Sequence, residues 1–331
     1  MQRFLIIQTA FIGDVVLATG IIEKLHRYFP DAQIDFLLRK GNEGLLKGHP
    51  FLHEVLIWDK QKNKLKNLWR ILRQIRGKKY DAVINVQRFA ATGILTTFSG
   101  AKEKIGFDKN PFSFLFTKKI KHHIDSKAAV HETERNHKLI KHLTDDMAAK
   151  PRLYPSEKDI EAVRHLKTRP YIVIAPASVW FTKQYPVRKW IEFIHLLPQH
   201  LQVYLIGGPN DEKLCNEILT ECKDGQVMNL CGQYNFLQSA ALQKDAVMNY
   251  VNDSAPLHFS SAMNASVTAV YCSTVPSFGF GPLSDKSFII EIQEQLSCRP
   301  CSLHGKKACP LVHFDCAYKI KAAQLLETLS I

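Results

Sequence analysis

No apolar run in this chain reaches the roughly 18 residues that a transmembrane helix needs. The opening Met1 to Gln8 also lacks the longer apolar core and small-residue cleavage site of a signal peptide. The expected location is therefore cytoplasmic, with the inner face of the cytoplasmic membrane open as a place of work. Missing too are the glycines of a G-x-G-x-x-G dinucleotide fingerprint and any G-x-x-x-x-G-K-[ST] loop. Neither a nicotinamide dehydrogenase nor a P-loop nucleotidase is supported. No internal repeat or low-complexity tract interrupts the chain. The pI near 9.3 comes without a recognition helix, a zinc finger or an aromatic RNA-binding signature, which argues against a specific nucleic-acid partner.

What is present is 331 residues with 46% hydrophobic content, enough for two cores of ordinary domain size. The net charge of +13 is unevenly spread. Residues 1–150 hold 27 Lys and Arg against 15 Asp and Glu, and the remainder hold 17 against 16. Such a field concentrates polyanions: nucleic acid, an acidic bilayer surface or a phosphorylated glycolipid. It is densest from Lys60 to Lys79, where Leu65, Leu68, Trp69, Leu72 and Ile75 recur at helical spacing beneath Lys64, Lys66, Arg70, Arg73 and Arg76. This predicts a basic amphipathic helix, either packed on a sheet with a solvated outer face or facing a membrane.

Short β-branched runs alternate with helical stretches. Phe4–Gln8, Ile34–Leu38, Val55–Trp58 and Ala82–Val86 read as buried strands; the pattern lapses around Asp145–Arg169. It restarts with Tyr171–Ala175, Val203–Ile206, Val227–Leu230, Ala246–Tyr250 and Val267–Tyr271. Two doubly wound α/β domains are predicted, residues 1–155 and 156–331. In such sheets ligands bind outside the carboxyl ends of the strands, so the loops there carry the chemistry.

Four loops stand out. After the first strand, Gly13 permits a tight turn and Asp14 sits near a helix N-terminus, where the dipole favours the ionised carboxylate. The loop from Ala175 to Pro186 offers Ser178 and Lys183, and Gly207–Gly208 with Asp211 allow close approach of a ribose or base. In Val251–His258, Asp253 and Ser254 can cap a helix that Pro256 begins, and free N–H groups at such a start are a seat for phosphate. The last three loops follow strands of one domain, as a nucleotide pocket requires.

These residues resemble glycosyltransferase family 9, the heptosyltransferases that build the inner core of lipopolysaccharide from ADP-heptose. The likeness covers nearly the whole chain. It rests on Ile12-Gly13-Asp14-Val15-Val16 with Phe29-Pro30, on His131-Glu132-x-x-Arg135-Asn136, on Ser178 through Lys183 with Pro186 and Trp190, and on Asn252-Asp253-Ser254 with His258. The resemblance implies a GT-B fold, two Rossmann-like doubly wound parallel-sheet domains facing across a cleft, acceptor in the first and nucleotide-sugar in the second. A final helix, here Phe314 to Leu329, commonly crosses back toward the first domain. The implied reaction is inverting transfer of heptose from ADP-heptose to a lipopolysaccharide inner-core acceptor, with no required cofactor. Asp14 matches the family's proposed base, and Lys183 a lysine on the donor phosphates. Ser178, Asp253, Ser254, His258 and Asp211 match donor-binding positions. Val179 stands where characterised members commonly carry a hydroxyl, so one phosphate contact is absent or comes from backbone.

On the acceptor side stand Gly13 in the loop after the first strand, Arg88 after the fourth strand and Lys109 in Gly106-Phe107-Asp108-Lys109-Asn110-Pro111, and the positive charges suit a phosphorylated or acidic sugar. His131 and Arg135 belong to the shared stretch and either meet the acceptor or staple a helix. His258 is a donor contact or a satisfied structural histidine. Four of the eight cysteines crowd the end, Cys298, Cys301, Cys309 and Cys316. Their number fits a tetrahedral metal site but their spacing follows no standard finger, so buried reduced thiols, a structural metal and redox-labile pairs all stay open. The rival functions are a sugar-nucleotide epimerase or hydrolase on the same fold and a basic nucleic-acid-binding protein.

Overall fold

In the computed structural model, which describes residues 1–125, 128–222 and 225–329, the chain divides into two compact units. The first comprises Met1–Ile124 and Val130–Tyr154, the second Asp125–Ala129 and Pro155–Ile331.

The first unit is built on β1 (Arg3–Ile7), β2 (Gln33–Arg39), β3 (Glu54–Trp58), β4 (Ala82–Asn85), β5 (Glu103–Phe107) and β6 (Lys118–Ile120). All pair in parallel, in the order β3-β2-β1-β4-β5-β6. Its helices are α1 (Ile12–Tyr28), α2 (Lys64–Lys78), α3 (Ala90–Thr97) and α4 (Glu132–His137). Helix α1 is apolar nearly all round because it is covered on both sides. At Gly20 a Cβ would lie 2.7 Å from the Ala149 carbonyl oxygen, so only glycine lets that segment close over the helix. Gly13 lies inside the first turn of α1 rather than in a tight turn before it. Its conformational freedom is not what the loop uses.

The predicted face of α2 divides. Leu68, Ile71, Leu72 and Ile75 are buried against the sheet, whereas Leu65 and Trp69 point outward, 73% and 57% exposed.

The second unit repeats the plan with β7 (Tyr171–Ala175), β8 (Gln202–Leu205), β9 (Val227–Asn229), β10 (Met248–Asn252), β11 (Val267–Tyr271) and β12 (Ser287–Glu291). The order is β12-β11-β10-β7-β8-β9, again all parallel. Around it lie α5 (Glu157–Arg164), α6 (Val187–His195), α7 (Glu212–Glu221), α8 (Phe236–Lys244), α9 (Ala255–Met263), α10 (Asp315–Tyr318) and α11 (Ala322–Leu326). Alternation along β7 splits its side chains between two cores. Ile172 and Ile174 join Trp190, Phe193 and Tyr250 on one face; Tyr171, Val173 and Ala175 join Tyr204, Leu257 and Tyr271 on the other.

The end of the chain is not the single helix expected from Phe314 to Leu329. The Tyr185 hydroxyl donates to the Ile320 carbonyl, and Gln324 accepts from the Lys321 N–H to start α11 afresh, so the helix breaks between α10 and α11. Phe314, Cys316, Ala317, Ile320 and Leu325 pack in the same cluster as Trp190, within the second unit.

Candidate active site

Each sheet reverses its strand order once, between β1 and β4 in the first unit and between β7 and β10 in the second. Loops leaving the carboxyl ends of strands at such a reversal diverge, which opens a crevice for ligand. Asp14 and Arg88 follow the two strands of the first reversal, and Ser178, Lys183, Asp253, Ser254 and His258 those of the second; Lys109 follows β5, Asp211 follows β8, and His131 and Arg135 belong to the start and body of α4.

In the first unit, Asp14 is the third residue of α1, and the Phe11 N–H donates to its Oδ2 at 3.2 Å. The carboxylate thus caps its own helix while sitting at the positive end of the dipole. The loops after β1 and β4 are tied by a Gln87–Gln8 side-chain hydrogen bond, and Arg88 extends beyond them, exposed, 5.6 Å from the Phe89 ring. His131 caps α4, its Nδ1 accepting from the Thr133 N–H at 3.1 Å. Arg135 is 2% exposed, with Nε on Glu132 Oε2 at 2.7 Å and Nη1 on the Val130 carbonyl at 2.5 Å.

The sequence pattern does not mark the group on which these charges converge. Burial and the cations Arg135, Arg88 and Lys109 hold His122 down to about 4, against the pull of Asp108. Burial also pushes the Glu132 carboxyl up to about 7, opposed by Arg135 and reinforced by the charge of Asp14. The rim therefore combines a carboxylate at a helix start with a concentration of positive charge that includes three of the predicted acceptor residues. A further cation is Lys60, whose Nζ donates to Thr9 Oγ1 at 2.7 Å and to the Thr9 carbonyl at 3.2 Å. Desolvation and nearby Arg39 hold it down to about 8. In the sequence it is marked by its place two residues beyond the end of β3 at Trp58, at the start of the basic stretch Lys60–Lys79.

In the second unit the loops after β7, β10 and β11, neighbours in the sheet, meet. Lys183 Nζ lies 2.6 Å from Asp253 Oδ2, which also accepts from Thr274 Oγ1 at 2.7 Å. Both charged side chains are largely buried, 15% and 8% exposed. Asp253 therefore does not cap α9. Ser254 occupies the cap position with its hydroxyl turned to the Asn252 carbonyl at 3.4 Å, and no side-chain oxygen caps the first turn. The reason is the competing ion pair. Its effect is to leave the helix start to backbone N–H groups alone, beside a lysine.

Asn252 fixes the loops against each other. Its Nδ2 donates to the Pro176 carbonyl at 2.7 Å and its Oδ1 accepts from the Tyr185 N–H at 3.0 Å. Ser178 is half-buried in the loop after β7, its carbonyl accepting from Gln184, and Val179 is 78% exposed. Asp211 accepts from the Gly208 N–H at 2.8 Å. The space beside Gly207 is filled by the chain itself: a Cβ there would meet the Asp211 side chain at 2.9 Å and Cys231 Sγ at 3.0 Å. His258 is buried one turn into α9, 6% exposed.

The cysteine-rich segment braces this rim. Arg299 donates to the carbonyls of Cys272 and Thr274 and to Glu291, the Cys301 N–H donates to the Ser273 carbonyl, and Thr182 Oγ1 accepts from the Lys306 N–H. Gly305 (φ +81°) passes so close that a Cβ would lie 3.0 Å from both Lys183 Cγ and Trp180 Cβ. Cys298, Cys301 and Cys309 are partly buried and Cys316 is buried. Burial and the neighbouring thiols push Cys301 up, and Cys316 up to about 12. Among the described residues the side chains drawn to metal-ligand spacing are Asp35, His53 and Glu54, not these thiols. That trio is already held by Lys78, on Asp35 at 2.9 Å and on Glu54.

Two doubly wound parallel sheets of six strands, each with polar and charged side chains at its strand reversal, are the architecture of the GT-B fold. The family model described as "Glycosyltransferase family 9 (heptosyltransferase)" matches residues 68–311, and the chain belongs to that family. It is 27% identical over 277 residues to lipopolysaccharide heptosyltransferase 3 of Escherichia coli, covering 80% of this chain and 82% of that protein. Its fold is that of the E. coli ADP-heptose lps heptosyltransferase II structure, with TM-score 0.81, 21% identity and coverage of 99% and 97%. E. coli heptosyltransferase WaaC, solved with ADP-2-deoxy-2-fluoro heptose, gives TM-score 0.75, 19% identity and coverage of 99% and 100%. Neither the epimerase or hydrolase reading nor the nucleic-acid reading is favoured by these relatives.

Proposed function

We propose that the enzyme transfers heptose from ADP-heptose to a lipopolysaccharide inner-core acceptor in a single inverting displacement. The observation that carries this reading is the second unit's rim, where Lys183, Asp253 and Thr274 adjoin the uncapped start of α9. A diphosphate suits that set: a cation beside backbone N–H groups at the positive end of a helix dipole. The leaving nucleotide gains charge as the glycosidic bond breaks, and fixed donors of this kind stabilise that charge. Ser178, Asp211 and His258 are assigned supporting donor contacts. The nucleotide's identity as ADP draws support from the structural relatives, one an ADP-heptose lps heptosyltransferase II and one solved with ADP-2-deoxy-2-fluoro heptose.

In the first unit Asp14 is the base. An acceptor hydroxyl attacks the anomeric carbon, its proton passes to the Asp14 carboxylate, and the bond to the diphosphate oxygen breaks on the opposite face. Gly13, Arg88, Lys109, His131 and Arg135 form the acceptor region, with His122 and Lys60 added by the geometry. Four cations suit an acceptor bearing carboxylate or phosphate. On this reading the enzyme works in the cytoplasm, at the inner face of the membrane that carries its glycolipid acceptor.

Thermal-shift measurements with nucleotides test the donor. ADP and ADP-heptose raise the melting temperature, and a response confined to UDP or GDP sugars overturns the assignment. Asp14→Asn lowers turnover by about 10²-fold or more while the ADP-heptose shift is retained; undiminished turnover removes Asp14 from the base role.

A further inference from the structure

Helix α2 carries a surface that sugar transfer does not use. Its inner face is satisfied by the sheet through Leu68, Ile71, Leu72 and Ile75. One turn apart on the outer side stand Leu65 and Trp69, 73% and 57% exposed. Lys62, Lys66, Arg70 and Arg73 surround them, all exposed, and none has a side-chain hydrogen bond or ion pair among the described residues. From Gln61 to Tyr80 there is no acidic residue. Nearby Phe98, 47% exposed, widens the patch, since Arg76 Nη1 donates to its carbonyl at 3.0 Å.

In water this arrangement is doubly unfavourable. Like charges three and four residues apart repel along a helix, and two large apolar side chains have no cover. Both penalties are relieved by a surface that is anionic outside and apolar just beneath. Trp is the side chain best suited to such a boundary, and flanking Lys and Arg reach the phosphates above it. A nucleic acid would answer the charge but leave Leu65 without a partner.

We propose that the outer face of α2 docks on an anionic phospholipid bilayer. Leu65 and Trp69 enter the boundary between headgroups and acyl chains; Lys62, Lys66, Arg70 and Arg73 lie against lipid phosphates. This deepens the reading of an enzyme working at a membrane face. It can be tested with neither donor nor acceptor present, so its failure would leave the transfer reaction standing.

The experiment is co-sedimentation of the full chain with phosphatidylcholine vesicles, with and without phosphatidylglycerol. Binding is expected only to the anionic vesicles. Brominated acyl chains should quench tryptophan emission in the unaltered protein but not in the Trp69→Ser protein, Trp58 and Trp190 being buried, Trp180 partly buried in the second unit and Trp69 exposed. Leu65→Ser with Trp69→Ser should lower the partition coefficient about tenfold or more at an unchanged melting temperature. Arg70→Gln with Arg73→Gln should lower it about 30-fold at low salt and flatten its salt dependence. Equal binding to both vesicle types, absence of quenching in the unaltered protein, an undiminished partition in the Leu65/Trp69 variant, or retention of RNA in preference to the anionic vesicles would each overturn the proposal.

Discussion

Burial shifts Glu132 and His122 in opposite senses, each toward its neutral form. Burial raises Glu132 to about 7, so between its ordinary value of 4.5 and about 7 the folded protein keeps a proton that the unfolded chain has released. Stability therefore falls as pH rises through that interval. His122 is held neutral down to about 4, where the unfolded histidine would be charged below 6.5, so its contribution is lost as pH falls from 6.5 toward 4. Replacing Glu132 by Gln removes the first effect alone. The variant's melting temperature relative to the unaltered protein should improve from pH 5 to about pH 7 and level off above it, and a constant offset would show that Glu132 does not titrate there. Neither residue could be singled out from sequence, because the shifts come from burial, joined for His122 by the cations Arg135, Arg88 and Lys109 and for Glu132 by the charge of Asp14. Asp14, Lys183 and Asp253 were legible for a different reason: each follows a strongly apolar strand, and a charged residue in such a loop stands at the ligand end of the sheet.

Among the elements, strands with uninterrupted apolar runs were readable to within a residue or two; Tyr171–Ala175 and Val267–Tyr271 match β7 and β11. Strands β5, β6 and β12 were not. Lys104, Lys118 and Lys119 obscure any alternation at that edge, and the outer strand β12 is only partly buried along its length. The cysteine-rich stretch was misleading in another way. Its thiols drew attention, yet its contact with the rim is made by Arg299, Gly305 and backbone. Gly305→Ala tests that role: a positive φ and two 3.0 Å contacts should cost about 1–3 kcal/mol of stability. By displacing Lys183 the substitution should also weaken ADP binding about tenfold. Unaltered ADP affinity would confine Gly305 to a packing role.

At the scale of the molecule, each unit has its own cores, and the excess positive charge belongs almost wholly to the first. Nucleotide should accordingly act on one unit. With ADP at a hundred times its dissociation constant, stabilisation is about 2.7 kcal/mol. Hydrogen exchange should slow around residues 176–183, 207–211, 253–256 and 272–275 and stay unchanged in β1–β4. Protection spread evenly over both sheets would contradict a donor site built by the second unit. The brace from Arg299 to Lys306 has a consequence for biosynthesis. The second sheet is complete at Glu291, but the strap that holds Thr182 and Ser273 lies beyond it. A growing chain thus acquires its last strand before the support for the loop to which the phosphate contact is assigned above. A truncation between 292 and 298 would strip away both that strap and the Phe314–Leu325 packing on the core around Trp190, so the rim and the core beneath it are completed together, only after residues 299–325 have left the ribosome.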